Sequence, residues 1–489
     1  MSSVTKNYVL NLINTGSQML FPLLTFPYAC RVMGAESIGV VNFLSSIVAY
    51  VSLFASLGIP IYAVREVARL RDDPKAMNKA VVEILSLNGL LTLAGLAVAA
   101  VVCLCVGEVR ENASVFIILC STIVFNALGC EWLYLGIEDF KYVTIRGLVV
   151  KVVSVVYLFV FVRTGDDLIL YTIYTVVGSV GGNVFNFVRL RKIIGLRIKS
   201  FDNLNMARHF KPVLQVFSLS VVTSLYLQLN PVILGFLQPA VAVGFFAAAT
   251  KLLAMVMKLS SCLGTVMLPR MSNLIAEGKK DEMETLLQKS YDFTLLATLP
   301  LVTVLMFCSE DVVAVLCGEE FAPAVSAAII VAPIILVVGI SNVCGMQALY
   351  PMGKIKLVVL SCSAGAVVDL LASFALVPSL SFNGTALAYL LAEVTTTLVM
   401  LVIVRKHVRL QLVSRRHIPF FLAVGAMAVV ASLLHNVMNT DAILRLFVVA
   451  IMSFSAYLAV LLSAGEPLTA GTVKKFLNFL GGLLTKRRP

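Results

Sequence analysis

Apolar stretches of about 20 residues recur along the whole length of this chain, and they restrict its fold more than any other feature of the sequence. We count about 14 of them, and no polar segment longer than about 25 residues separates any two. Their apolar residues are continuous rather than alternating, which excludes membrane β-strands and favours helices that span a bilayer. The sequence therefore predicts an all-α polytopic membrane protein with about 14 transmembrane helices.

Charged residues are scarce and unevenly placed along the chain. They make up 13% of the 489 residues, about half the share found in a soluble globular domain. The net charge of +12 does not indicate nucleic acid as a partner, because nearly all of the 38 Lys and Arg residues lie on one side of the predicted membrane. Only a few lie on the other side: Arg31, Arg110, Arg163 and Arg445. By the positive-inside rule, both termini are predicted to be cytoplasmic.

Polar segments divide the predicted helices into groups. The basic segment 191–211 is the predicted cytoplasmic linker between an N-terminal lobe of six helices, 1–190, and a C-terminal lobe of six, 212–405. Two further helices are expected in 406–466. The last segment, 467–489, combines apolar and basic residues and is predicted to lie on the inner leaflet as an amphipathic tail.

A short internal match supports the division into two halves. Ile38-Gly39, at the start of predicted helix 2, matches Val243-Gly244, at the start of predicted helix 8. Two similar six-helix halves with a crevice between them are a common plan of membrane transporters.

Two lysines lie in the middle of one predicted membrane helix. This helix runs from Val243 to Arg270, and Lys251 and Lys258 are two turns apart on one of its faces. Inserting a lysine at the bilayer centre costs roughly 2.5 to 3.5 kcal/mol. Both side chains are therefore predicted to face a wet or anionic cavity, the alternative being that one of them forms an ion pair between helices.

Further cations and amides are candidates for the same cavity. Arg31 and Arg146 are placed near its two mouths and Lys151 within helix 5, and this surplus of positive charge favours an anionic ligand such as a diphosphate. Polar side chains inside predicted helices line either the cavity or ordinary helix contacts. They are Asn14, Gln18, Asn42, Asn126, Gln228, Asn342 and Gln347.

Three carboxylates lie within predicted membrane helices. Glu131 belongs to the helix predicted over 113–137, and Asp369 and Glu393 lie at similar depth on consecutive helices. They are candidates for coupling transport to H⁺ or Na⁺, or for structural pairing with the lysines. No catalytic motif is found, and the ten cysteines lack metal-ligand spacing, so neither a metal nor another cofactor is predicted.

Short motifs in a fixed order carry a family resemblance. In the first half they are Pro27-Tyr-Ala-Cys-Arg31-Val-Met-Gly34, Ile38-Gly39, Gly58-Ile-Pro60, Arg65-Glu66, Glu131-Trp-Leu-Tyr-Leu-Gly136, Glu138-Asp-Phe140, Arg146, Val243-Gly244 to Lys251, and Leu268-Pro-Arg270. In the second half they are Gly318-Glu-Glu-Phe321, Ser341-Asn342, Gly345-Met-Gln347, Pro351-Met-Gly-Lys354, and Asn383-Gly384 to Glu393. The chain resembles bacterial oligosaccharide flippases of the Wzx type, from the multidrug/oligosaccharidyl-lipid/polysaccharide exporter superfamily. It departs from them at Asn230-Pro231, where the family often has Asp-Lys, and at Asp369, where relatives often have Asn.

This resemblance implies a transport function and a two-lobe architecture. Such a flippase moves an undecaprenyl-diphosphate-linked oligosaccharide repeat unit from the cytoplasmic to the outer leaflet of the bacterial cell membrane. It implies two MATE-like six-helix lobes that open alternately around a cationic cavity. Lys251 and Lys258 would bind the diphosphate or acidic sugars, helped by Arg146 and Lys151, and the lipid tail would stay in the bilayer beside helices 1 and 8. Membrane lipids, a polysaccharide polymerase and assembly proteins are the implied partners.

Two other functions compete with this interpretation. An ion-coupled multidrug or cation antiporter of the same superfamily would present an acidic, aromatic-rich cavity to its substrate, whereas helix 8 offers two lysines. A membrane-embedded polysaccharide polymerase or ligase would need a large outer loop with catalytic residues. No predicted outer segment exceeds about ten residues.

Overall fold

The computed structural model describes the backbone of residues 3–194, 204–466 and 469, and the side chains at 16–17, 20–193, 204–217, 228–257, 267–466 and 469. All regular secondary structure in these residues is helical, so the predicted all-α class is confirmed for the described part of the chain. The predicted tail, 467–489, lies outside the described residues except for position 469.

Seventeen α-helices are described in chain order. The first nine are α1 (Ser3–Ser56), α2 (Ile59–Leu70), α3 (Pro74–Cys105), α4 (Gly107–Glu111), α5 (Ala113–Gly129), α6 (Glu131–Gly136), α7 (Phe140–Phe161), α8 (Leu168–Ile194) and α9 (Ala207–Leu237). The others are α10 (Ala240–Ala276), α11 (Lys280–Phe307), α12 (Ser309–Leu316), α13 (Ala324–Val331), α14 (Ile334–Asn342), α15 (Ile355–Arg405), α16 (Ile418–Val437) and α17 (Ala442–Ser463). Short turns of other helix types cover Glu319–Phe321, Val343–Leu349 and Arg415–His417.

The described helices are those of a multi-pass membrane protein. Among the residues that the structure describes, 11 helical segments are long and apolar enough to cross a bilayer. Two of these segments, Leu20–Leu70 and Ile355–Arg405, contain 51 residues each, more than twice the roughly 20 residues that one crossing needs.

Each of the two long helices contains one residue with non-helical backbone angles. Gly34 in α1 has a φ of 72°, which glycine adopts without steric penalty because it lacks a Cβ atom. Ser381 in α15 has a φ of 50°, a strained conformation for a residue with a side chain. Gly34 lies where the sequence predicts the turn between helices 1 and 2.

The chain divides into two compact units, each with its own contacts. One comprises Met1–Ala247 with Ser373–Phe382, and the other comprises Ala248–Ala372 with Asn383–Pro489.

In the first unit, α1 and α10 touch backbone to backbone. A Cβ atom built on Gly39 would lie 2.9 Å from the backbone nitrogen of Gly244 and would overlap the carbonyl oxygen of Ala240. A Cβ atom on Gly244 would lie 2.8 Å from the carbonyl carbon of Ala35 and would overlap its oxygen. The two glycines that the internal match pairs therefore meet in space, as small residues do where membrane helices approach closely.

A fully buried carboxylate organises the loop-to-helix junction before α9. Glu83 on α3 has no exposed surface, and its carboxylate lies 2.9 Å from Nε2 of His209 and 2.5 Å from Nη2 of Arg208. It also accepts a 3.0 Å hydrogen bond from the backbone N–H of Asn205. The hydroxyl of Tyr62 on α2 lies 2.7 Å from Nδ1 of His209. This cluster joins three helices of the first unit.

The second unit contains a similar cluster before α16. Asp292 on α11 lies 3.0 Å from Nε2 of His417 and 3.7 Å from Nη1 of Arg416. The side-chain amide of Gln288 donates a 2.9 Å hydrogen bond to the same carboxylate. In both units a carboxylate thus holds an Arg-His pair at the start of a later helix, which is a second sign of an internal repeat.

Candidate functional site

A polar cavity of about 400 Å³ lies within the first unit. Six helices, α1, α2, α3, α5, α6 and α8, supply its lining. Its polar side chains and one indole ring come from Ser52, Ser56, Asn88, Thr92, Asn126, Glu131, Trp132 and Asn183. Hydroxyls, amides and an indole are the groups that bind sugar hydroxyls through hydrogen bonds and stacking, so this lining suits a carbohydrate.

Helical spacing brings these side chains to one place. Asn88 and Thr92 are four residues apart on α3 and therefore lie on the same face. The amide of Asn88 donates a 3.4 Å hydrogen bond to the carbonyl of Ala127. The amide of Asn183 on α8 donates a 3.3 Å hydrogen bond to Oδ1 of Asn126 on α5. The amides are thus fixed in position by hydrogen bonds between helices.

A break in the helix directs Glu131 to this cavity. The sequence predicts one helix over 113–137, but the structure separates α5 from α6 at Cys130, which has a φ of 44°. The apolar pattern continues through the break, so periodicity alone could not locate it. A left-handed conformation at a non-glycine residue is strained and is often found at functional sites.

An ion pair joins Glu131 to Arg146. Nη2 of Arg146 donates to Oε2 of Glu131 at 2.8 Å; the carboxylate side chain is 47% exposed, but the arginine side chain is only 9% exposed. Among the described residues, the buried Nε and Nη1 atoms of Arg146 have no hydrogen-bond partner. The guanidinium group lies against Gly182 of α8, where a Cβ atom would come within 3.0 Å of Nε. Arg146 therefore offers unused donors that an anionic group could accept.

The other predicted cations take no part in this ion pair. Nζ of Lys151 donates a 2.7 Å hydrogen bond to Oγ of Ser17 and lies 5.9 Å from the ring centre of Phe21. Arg31 is exposed on α1. Lys251 is exposed on α10, in the second unit, and position 258 lies two turns further along the same helix. The side chain of Lys258 is outside the described residues.

The predicted amides have different surroundings. Asn42 donates a 2.8 Å hydrogen bond to the carbonyl of Ile38 in its own helix. Gln347 is buried in the second unit, where Oε1 accepts a 2.5 Å hydrogen bond from Oγ of Ser290. Oδ1 of Asn342 is buried without a partner among the described residues, and Gln228 is half-buried. The side chains of Asn14 and Gln18 lie outside the described part. Of the seven predicted amides, Asn126 lines the polar cavity.

The two remaining carboxylates share one environment in the second unit. Asp369 is fully buried and Glu393 is 8% exposed, and both act electrostatically on Tyr389.

Six polar or aromatic residues of the cavity were missed by the sequence analysis: Ser52, Ser56, Asn88, Thr92, Trp132 and Asn183. Trp132 is the only tryptophan of the chain, and Asn88 and Thr92 have helical spacing, but neither signal is specific.

Comparison with solved structures shows the fold. The chain resembles "Lipid II flippase MurJ, inward closed conformation" with a TM-score of 0.71 and 15% identity, over 93% of this chain and all of the other. It also resembles an inward-facing MATE multidrug resistance transporter of the MOP superfamily, with a TM-score of 0.64 and 15% identity. That match covers 80% of this chain and 94% of the transporter. The fold is therefore the MurJ and MATE fold.

Comparison of sequences shows the family. The chain is 24% identical to a "Putative O-antigen transporter" of Escherichia coli (strain K12), over 83% of this chain and 97% of the relative. It is 25% identical to a protein of the same description from Shigella dysenteriae, over 81% of this chain and 98% of the relative. A family model described as "Polysaccharide biosynthesis protein" matches residues 4–275, more than half of the chain. The chain therefore belongs to this polysaccharide biosynthesis protein family.

Proposed function

We propose that this protein is a flippase for a lipid-linked oligosaccharide. It moves an undecaprenyl-diphosphate-linked repeat unit from the cytoplasmic to the outer leaflet of a bacterial cell membrane, for polysaccharide biosynthesis. The observation that carries the proposal is the match to nearly the full length of two relatives described as O-antigen transporters. The polar cavity supports it because its amides, hydroxyls and indole ring suit a sugar.

The proposed architecture has fourteen membrane crossings in two six-helix lobes and two C-terminal helices. In support, the kinks at Gly34 and Ser381 each divide a long helix into two pieces of bilayer length. The 31-residue helix α9 is also long enough to cross. The distribution of Lys and Arg supports cytoplasmic termini. Alternating access would expose the cavities of the lobes to each side in turn.

Cationic residues would bind the charged part of the substrate. Arg146, with two unused donors, is suited to the diphosphate or to an acidic sugar of a repeat unit in the polar cavity. Lys251 and Lys258 would act in the same way from α10. Asp369 and Glu393 would couple transport to H⁺ or Na⁺. A polysaccharide polymerase would then use the delivered repeat unit on the outer side.

The sidedness of the lipid-linked oligosaccharide tests the function. In cells that lack this protein but make the repeat unit, a membrane-impermeant sugar probe should label the intermediate only after spheroplasts are lysed. Cells with the protein should be labelled while intact. Labelling of intact spheroplasts in both strains would place the block after translocation and would contradict the proposal in favour of a polymerase or ligase.

Replacing both lysines of α10 should remove most of the transport. In a Lys251→Gln, Lys258→Gln variant we expect outer-leaflet labelling to appear at least about a hundredfold more slowly, since each charged hydrogen bond contributes about 1.5 to 3 kcal/mol. The matched control is Lys279→Gln with Lys280→Gln, two exposed residues at the start of α11. Equal rates in the two double variants at equal expression would exclude a role of the lysines in transport.

The geometry of Arg146 predicts a graded loss of transport. Arg146→Gln should slow labelling about tenfold or more, because it removes the positive charge and both unused hydrogen-bond donors. Arg146→Lys should be intermediate, since a lysine keeps the charge but not the planar fork. Arg69→Gln, which removes an exposed arginine paired with Glu66, should leave the rate unchanged. If Arg146→Lys is as slow as Arg146→Gln, transport depends on the planar geometry of the guanidinium group rather than on its charge.

A further inference from the structure

A second cavity, distinct from the polar one, has Arg146 in its lining. It is a groove of about 600 Å³ between α7 and α8, a volume typical of ligand pockets. The walls are almost entirely apolar and include Ile145 and Val149 of α7 and Val184, Phe185 and Val188 of α8. These side chains recur every three or four residues, so each helix presents one continuous face to the groove.

The apolar walls of the groove are open rather than covered. The exposed fractions range from 46% for Val184 to 57% for Val188. Exposed apolar side chains on a membrane-crossing helix face hydrocarbon chains rather than water. The groove is therefore accessible to a lipid from the side of the protein.

One end of the groove is basic. Arg189 lies within two turns of the end of α8 and Lys192 within the last turn, and both line the groove with Arg146. None of the described residues that line it is acidic. Because basic loops mark the cytoplasmic side, this end lies at the depth of the phosphates of the inner leaflet.

Arg189 is held in place by three neighbours. Nη2 donates to Oδ2 of Asp139 at 2.7 Å, and the guanidinium carbon lies 4.0 Å from the ring centre of Tyr142 and 5.5 Å from that of Tyr134. An arginine fixed in this way loses little further side-chain entropy when it binds a phosphate. Lys192 is exposed and unconstrained by comparison.

Arg146 provides a second, independent indication of a ligand. Its side chain is more than nine-tenths buried, and among the described residues Nε and Nη1 have no acceptor. Buried donors without acceptors are energetically unfavourable, which indicates that an anionic group binds beside this part of α7.

We propose that the groove between α7 and α8 binds an anionic phospholipid of the inner leaflet. Its phosphate contacts Arg189 and Lys192, and one acyl chain lies along Ile145, Val149 and Val188. The position of the cations near the helix ends favours a phospholipid, whose phosphate stays at the membrane surface. This lipid is a regulatory or structural ligand and not the transported molecule.

Native mass spectrometry of the full-length protein tests the proposal. Protein supplied with equal amounts of phosphatidylglycerol and phosphatidylcholine should retain phosphatidylglycerol preferentially. Arg189→Gln with Lys192→Gln should weaken this retention about tenfold or more, since each basic residue near the surface contributes about 1 kcal/mol. Arg191→Gln is the matched control, because Arg191 lies beside them but packs over Phe187 outside the groove lining.

A second variant tests the hydrocarbon part without removing charge. Val188→Trp fills the groove from an exposed position, so it should fold normally yet lower phosphatidylglycerol retention. The proposal is overturned if the two phospholipids are retained equally, or if Arg191→Gln reduces retention as much as the double variant. It is also overturned if Arg189→Gln with Lys192→Gln reduces the retention of undecaprenyl diphosphate but not that of phosphatidylglycerol. The groove would then bind the transported lipid.

Discussion

An alanine at position 39 is expected to destabilise the protein severely and to abolish transport. The added Cβ atom would overlap the carbonyl of Ala240, and the atoms around it are backbone atoms that no side-chain rotation can move. Overpacking usually costs about 1 to 3 kcal/mol, and a clash with backbone belongs at the upper end or beyond. The two helices would have to separate, which would also remove their other contacts.

Thermal unfolding of the purified protein and polysaccharide production in cells measure this effect. Gly244→Ala should behave like Gly39→Ala, because its Cβ atom would overlap the carbonyl of Ala35. Gly89→Ala and Gly425→Ala are matched controls in helices where a Cβ atom meets nothing within 4 Å, and they should be neutral or slightly stabilising. Similar melting temperatures for all four variants would contradict the close contact between α1 and α10.

The sequence did not predict this contact. The match between Ile38-Gly39 and Val243-Gly244 is visible in the chain, but it suggested only an internal repeat. That the two positions touch each other depends on how the helices pack, which no local pattern encodes. Helix class and membrane location, in contrast, follow from the local apolar pattern alone and were predicted correctly.

The candidate site was predictable to a smaller extent. Asn126 and Glu131 were identified because polar groups inside apolar stretches are conspicuous, and Arg146 because it was placed near a mouth of the predicted cavity. The pairing of Glu131 with Arg146 was not predicted, because the two residues lie on different helices and each had several candidate partners. Gly129 directly precedes the turn at Cys130, but the sequence analysis did not interpret it as a helix break because the apolar pattern continues through it.

The buried carboxylate clusters were missed for a similar reason. The sequence analysis did not single out Glu83, which lies near the start of a predicted membrane helix, because its partners lie more than 120 residues later. In retrospect the repeated dipeptides Arg208-His209 and Arg416-His417 are a signal, since each precedes or begins an apolar helix. The signal becomes informative only once the carboxylates opposite them are known.

Replacing Glu83 should also lower the free energy of unfolding strongly. Glu83→Ala would leave His209, which is 1% exposed, and the backbone N–H of Asn205 without their acceptor, and Arg208 without its counter-ion. Removing one partner of a buried ion pair costs about 3 to 5 kcal/mol. Glu83→Gln should cost less, because an amide oxygen can still accept from Asn205 although the charge is lost. Thermal and denaturant unfolding measure both changes.

The two similar clusters make a stricter test than either alone. Asp292→Ala should also destabilise the protein, since His417 would lose its carboxylate in the same way. Because the clusters lie in different compact units and share no residue, their effects on the free energy of unfolding should add if both units unfold together. Glu277→Gln, which breaks an exposed pair with Lys279, should leave stability unchanged. A double variant no less stable than Glu83→Ala alone would mean that the second unit unfolds independently, so each carboxylate would then stabilise only its own unit.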